Sequence, residues 1–199
     1  MRQTFLSSGL QLKALVRAIT DTPIYRAGAT VEGTESTVRL LGAPRLASVV
    51  EDLTGFTWEY QGFDLMRSDT YGYRILSGGV DGAYVSQPQA TPSLTWLLVA
   101  QRLAEGASSV AMEGFGSGDD SLFGAVEDTH SPGDAAFEAN LENLVRRLTG
   151  EKATEGHLVM LRALWTEAAG PNPEDLNGAS RGWRCVLVAL LQDPEVLSY

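Results

Sequence analysis

The chain reads as a mainly α protein, an antiparallel helical bundle that carries an irregular Gly/Tyr-rich loop region with room for one short strand. Three observations predict this class. Apolar residues recur at helical spacing in six separate segments, most of them closed by Gly or Pro. The links between the last three segments are short, which favours antiparallel neighbours packed as a bundle. Between residues 58 and 92 no period persists, and Gly62, Gly72, Gly78, Gly79, Gly82, Pro88 and Pro92 punctuate the stretch.

The first helix is expected in "SSGLQLKALVRAITDTPIY", with Ser7 or Ser8 as its cap, Leu12, Leu15, Val16 and Ile19 as its apolar stripe and Pro23 as its end. A small, polar loop follows at 26–37. In "APRLASVVEDLTGF", Pro44 suits a first helical turn, Leu46, Val49, Val50 and Leu53 form a stripe, and Gly55 suits the stop. Within 58–92 only tight turns and a short strand around 73–76 are expected. Thr91, Pro92 and Ser93 then open "SLTWLLVAQRLAEGASSVAM", where Trp96, Leu97, Val99, Leu103, Ala107 and Val110 trace a wide apolar face. Its length and apolar content mark it as the central helix.

From Glu113 to Glu138 there are seven acidic residues and no Lys or Arg, so this stretch reads as a solvated loop anchored by "LFGAV". Asp134 can cap the next helix, whose stripe is Phe137, Leu141, Leu144, Val145 and Leu148 and whose stop is Gly150. Thr154 begins another, with Leu158, Leu161, Leu164 and Trp165 inward and "GPNP" as terminator. The last runs from Ser180 to Gln192 and is ended by Pro194. One helical domain spanning 1–199, with flexible loops at 26–37 and 113–133, accommodates all of these. A chain of this size buries about 70% of its unfolded surface, so it needs no covalent staples.

Hydrophobic residues make up 44% and charged residues 20%, as in ordinary folded proteins. The lone Cys185 excludes an internal disulfide, and its apolar setting, "RGWRCVLVALL", reads as that of a buried structural thiol. A net charge of −10 disfavours nucleic acid, whose binding relies on Lys and Arg. The negative field is uneven: residues 1–100 hold eight basic and nine acidic side chains, 101–199 seven and sixteen. No apolar run reaches the ~20 residues of a membrane span, and the first twenty residues lack the pattern of a secretory signal. By itself the chain therefore reads as soluble and unexported.

Motifs for metal and group-transfer chemistry fail on spacing. One Cys and two His, His130 and His157, cannot supply a zinc or haem-attachment pattern, so no metal site and no cofactor are expected in this chain. Asp119, Ser121, Gly124 and Glu127 imitate a calcium loop, but Phe123 and His130 occupy the fifth and twelfth ligand places, and the bidentate carboxylate is lost. "GFGSGDD" is neither a serine elbow nor a phosphate loop, because Ser117 is flanked by Phe115 and Asp119 at two residues' distance and no Gly-Lys-Ser/Thr follows. Asp128 and His130 could orient each other, yet no nucleophile accompanies them.

The aromatic group Trp58, Tyr60, Phe63, Tyr71, Tyr73 and Tyr84 reads first as filler beneath the irregular loop, with stacking on a ligand ring or sugar as the other reading. The turn at 79–82 (Gly79, Val80, Asp81, Gly82) places one carboxylate among glycines. Asp81, Tyr73 and Arg74 are the candidate ligand-binding residues, although an Asp in such a turn most often hydrogen-bonds its own backbone. No residue is assigned a catalytic role.

Five segments, in order "FLSSGLQLKALVRAITDTPIYRA", "RLASVVEDLTGFTW", "YGYRILSGGVDG", "NLVRRLTG" and "RGWRCVLVALLQDPEVLSY", resemble the C-terminal region of large planctomycete-type cytochrome c proteins, which contain several domains of unknown function. Such proteins show a Phe-x-x-Ser-Gly lead-in to the first helix, then Tyr-Arg-Ala, a helix ending in Thr-Gly-aromatic, a Tyr-Arg-x-Leu-x-Gly-Gly-[Ile/Val]-Asp turn and a similar last helix. The similarity spans nearly the whole chain and is weakest over 113–138. It implies a haem-binding Cys-x-x-Cys-His located upstream, on a neighbouring domain or chain, and a cell-envelope or periplasmic setting. It supplies no catalytic residue. The expected function is a non-enzymatic accessory or interaction module of a cytochrome-associated redox system with a protein partner; the alternative is a small-ligand-binding or enzymatic domain with its site at the 79–82 turn.

Overall fold

A computed structural model of the chain describes residues 40–198, apart from 82–83, 87, 89–91, 116–121, 125, 128 and 172–175, together with Lys13. Arg39–Tyr199 forms a compact unit of its own. The first expected helix and the loop at 26–37 lie outside the described residues. Those residues contain seven helices and one two-stranded sheet, so the protein is mainly α.

Helix α1 (Ala43–Thr54) starts with Pro44 in its first turn, where the missing N–H has no partner to lose, and stops at Gly55, whose φ of 72° lets its N–H reach the Glu51 carbonyl. A hairpin follows: β1 (Glu59–Tyr60) pairs antiparallel with β2 (Phe63–Asp64), Glu59 opposite Asp64 and Tyr60 opposite Phe63. Its two-residue loop, Gln61 and Gly62, has φ of 51° and 80°, the doubly positive turn that matches strand twist. The strand thus precedes the position expected for it. Residues 73–76 form instead a single helical turn, α2 (Tyr73–Leu76). Gly72, at φ 74°, starts that turn by accepting from the Ile75 and Leu76 N–H groups, and Ser77 Oγ closes it on the Tyr73 and Arg74 carbonyls.

Helix α3 (Leu94–Glu113) is capped by Ser93, which accepts from the Trp96 N–H at 3.1 Å. Helix α4 (Ala135–Thr149) follows Asp134, but that carboxylate turns back to accept from the Ser131 N–H and does not cap the helix as expected. Glu138 instead ties the preceding loop to the helix by accepting from the Gly133 N–H. Helix α5 (Glu155–Ala169) is capped by Thr154. Helix α6 (Leu176–Leu191) begins four residues before the expected Ser180, because the buried Gly178 and Ala179 allow close packing that overrides the turn character of "NG". Helix α7 (Pro194–Leu197) returns to the start of the unit, where the Leu41 N–H donates to the Leu197 carbonyl at 2.9 Å.

The bundle is built around α6 and not, as its apolar content suggested, around α3. Helix α6 packs against α3, α4, α5 and α7, and its Ala179, Trp183, Val186, Leu187 and Leu190 are fully buried. Helices α5 and α6 run antiparallel: Arg181, near the start of α6, donates to the Ala168 and Ala169 carbonyls that end α5, while His157 at the start of α5 lies 3.9 Å from Asp193 beyond the end of α6. A cation at a helix C-terminus also complements the carbonyl dipoles there. Two helical glycines each admit an aromatic ring. A Cβ on Gly182 would lie 2.6 Å from the Trp165 indole, and one on Gly106 2.6 Å from the Phe56 ring.

An aromatic cluster fills the centre. Phe137 meets Trp183 at 4.7 Å and Trp165 at 5.1 Å between ring centroids, and Phe123 meets Trp183 at 5.8 Å. Each such side chain contributes about 1.5–3 kcal/mol of burial. Phe123 belongs to the acidic stretch, and with Phe115, Leu122 and Val126 it is buried, which supplies the anchor expected of "LFGAV". Cys185 departs from expectation. It is exposed, because the buried positions 179, 182, 183, 186, 187 and 190 define a stripe on the far side of α6.

Candidate functional site

The three candidate residues lie along one tight segment. Tyr73 and Arg74 begin α2, Ser77 is buried, and Gly79 folds back so that its N–H donates to the Arg74 carbonyl at 2.8 Å. A Cβ on Gly79 would lie 2.6 Å from that carbonyl oxygen, so only glycine allows the closure. Asp81 follows two residues later. Its Oδ1 accepts from the Tyr84 N–H at 2.8 Å and the Val85 N–H at 2.7 Å, the local turn bond that such a carboxylate favours. Arg74 pairs with Asp69 at 3.2 Å, and Tyr73 packs edge-on against Trp58 with centroids 5.0 Å apart. Each group therefore has a local structural partner, and Gly82 lies outside the described residues.

The aromatic group is divided and does not fill the space beneath the loop as a unit. Trp58 and Tyr73 pack against the core, whereas Tyr60, Phe63 and Tyr84 are exposed. The division runs along the hairpin: Trp58 at its base, whose carbonyl accepts the Leu65 N–H, reaches the core, while Tyr60 and Phe63 beside the turn stand clear of it.

Two arginine clamps hold the polar framework. Arg67 donates to Asp64 Oδ2 at 2.8 Å, to Glu51 Oε2 at 2.7 Å and to Ser48 Oγ at 2.9 Å, which fastens the hairpin to α1. Asp64 Oδ1 meanwhile accepts the Met66 and Arg67 N–H groups. The bond to Glu51, then that to Asp64, holds the guanidinium pKa above its ordinary value. A raised cation pKa stabilises at every pH below the unfolded value, so this contribution is constant through the neutral range. Arg67→Met is expected to lower stability by about 1 kcal/mol, small because the pairs are partly exposed, and to speed amide hydrogen exchange in 59–67 well beyond that in α6. A uniform change across both segments would contradict the clamp. Arg162 forms the second, joining Glu138 of α4 to Glu155 of α5.

Glu127 and His130 form a turn of their own, in which His130 Nδ1 accepts from the Glu127 N–H at 2.9 Å. That bond ties one imidazole nitrogen to the local turn, and Asp128 lies outside the described residues. Among the described residues no three His, Cys, Asp or Glu side chains gather closely enough to hold a metal ion, and no helix is long and apolar enough to cross a membrane.

Comparison with protein-family models, with curated proteins and with solved structures returns no match.

Proposed function

We propose that the chain is a non-enzymatic accessory module that docks through its helical body onto a protein partner in a cell-envelope redox system, the setting implied by its resemblance to planctomycete-type cytochrome c proteins. The observation that carries the docking role is a row of leucines on the outer face of α3. Leu94, Leu97 and Leu98 are 74%, 50% and 52% exposed. A lone exposed leucine is ordinary, but three at i, i+3 and i+4 form a seam opposite the buried Trp96, Val99, Ala100 and Leu103. Leu97, read from sequence as part of the inward face, belongs to this outer seam.

Co-expression with the chains encoded beside it tests the reading. Haem absorbance should co-elute with the chain in gel filtration, and Leu97→Glu/Leu98→Glu should separate the two while leaving the melting temperature within a few degrees, since both positions face water. Elution of the parent chain apart from every haem-bearing product of its locus would count against it.

A ligand site at the 79–82 turn is the second reading. What favours it is the closure of Gly79 onto the Arg74 carbonyl, which fixes the chain two residues before Asp81. Native mass spectrometry separates the two: a bound small molecule lost on Asp81→Asn would support the turn, and a retained protein the seam.

A further inference from the structure

The hairpin carries a face that neither reading uses. Every residue from 59 to 63 is exposed, with Tyr60 at 54% and Phe63 at 45%. These two are direct cross-strand partners, so both rings stand on one side of the hairpin. Glu59 and Asp64, the other pair, fall on the opposite side, where Asp64 binds Arg67. Tyr71 sits edge-on to both rings, with centroids 5.3 Å from Tyr60 and 6.1 Å from Phe63 and interplanar angles of 75° and 73°. Its hydroxyl donates to Gln61 Oε1 at 2.8 Å, and Gln61 Nε2 reaches the Tyr60 hydroxyl at 3.4 Å. Three rings and one amide thus make a single braced surface without a charge.

We infer that this face binds a neutral glycan, with pyranose rings lying on Tyr60 and Phe63 and sugar hydroxyls bonding the Gln61 amide and the phenol oxygens. The apolar C–H face of a pyranose suits an aromatic face, and its rim of hydroxyls suits amide and phenol groups. Charge narrows the class. The nearby guanidiniums are engaged, Arg67 with Glu51 and Asp64, and Arg74 with Asp69. A chain of net charge −10 also repels polyanions. Shape narrows it further: a projecting hairpin contacts its ligand from one side, which suits a flat ring, whereas a polyproline ridge needs a groove between aromatics.

Isothermal titration of the full chain tests this with three neutral oligosaccharides, cellohexaose, xylohexaose and mannohexaose, beside a decaproline peptide and an oligogalacturonate. At least one neutral oligosaccharide should bind with millimolar or tighter Kd. Tyr60→Ala/Phe63→Ala should weaken it by roughly tenfold or more, whereas Tyr60→Trp, which keeps a ring, should retain it. Both positions are exposed and lie outside the helices, so circular dichroism should show the helical signal intact and the melting temperature should stay within a few degrees of the parent. The inference is overturned if no neutral oligosaccharide binds, if the double variant binds as the parent does, or if the decaproline or the polyanion is the ligand taken up.

Discussion

Trp183→Ala is expected to cost about 3–5 kcal/mol, the range for deleting a large buried aromatic. Trp183 is fully buried and touches Phe123, Phe137 and Trp165, so its loss opens the junction of α4, α5, α6 and the acidic stretch at once. Against a total stability of about 5–15 kcal/mol, that is a large share. The urea midpoint should fall steeply, and the Phe123 segment should lose exchange protection with the core. Trp183→Phe distinguishes packing from polarity. The indole Nε1 meets no protein acceptor among the described residues, so the phenyl ring forfeits volume but no protein hydrogen bond. Its cost should fall clearly below that of Ala, because most of the ring volume is kept and the cavity is smaller. Equal losses for Ala and Phe would mean that the indole nitrogen and not the ring volume matters.

The second large effect has a sign opposite to propensity. In a helix interior, Gly→Ala normally stabilises by roughly 0.8–1 kcal/mol. At Gly182 the added Cβ would lie 2.6–2.7 Å from three atoms of the Trp165 indole. That indole cannot yield easily, because it is fully buried against Phe137 and Trp183. Overpacking of this kind costs about 1–3 kcal/mol, so Gly182→Ala should destabilise on balance and Gly182→Val more strongly. Gly156 is the control. A Cβ there meets nothing within 4 Å, and Gly156→Ala should be neutral or stabilise by up to about 1 kcal/mol. If both glycines respond alike in urea denaturation, α5 and α6 are not packed through Gly182.

Much of the architecture was legible one element at a time. Pro44, Gly55, Ser93, Gly150 and Thr154 all stand where local chemistry expects them, because caps and stops are set by backbone groups within a turn or two. Asp134 shows the limit of such reasoning: the residue sits at the right position, but its carboxylate found the Ser131 N–H instead. The short strand was displaced for a similar reason. Its signal lay in the "GYRIL" run, whereas the pairing depended on Gln61 and Gly62 adopting positive φ.

For the candidate site, Asp81 and its turn bond were legible, since an Asp among glycines bonds locally whatever surrounds it. Its neighbours were not. Arg74 binds Asp69, and Tyr73 rests on Trp58, fifteen residues away. The exposed face at Tyr60 and Phe63 was hidden as well, because composition groups the aromatics together, while the Gln61–Gly62 turn carries these two beyond the core that Trp58 reaches.

By itself the sequence determined that the protein is mainly α, where most helices begin and end, that it is acidic, and that it has no internal disulfide. These follow from short-range rules: period, capping and charge count. Only the tertiary structure decided which helix lies at the centre and which side of an apolar helix faces water. Helix α3 carries apolar residues around most of its circumference, so period alone cannot choose between a stripe containing Leu97 and one containing Trp96 and Ala100. That choice was made by packing against α6, whose Gly182 lets Trp165 close in beside Trp183 and Phe137, leaving Cys185, Leu97 and Leu98 on the outside.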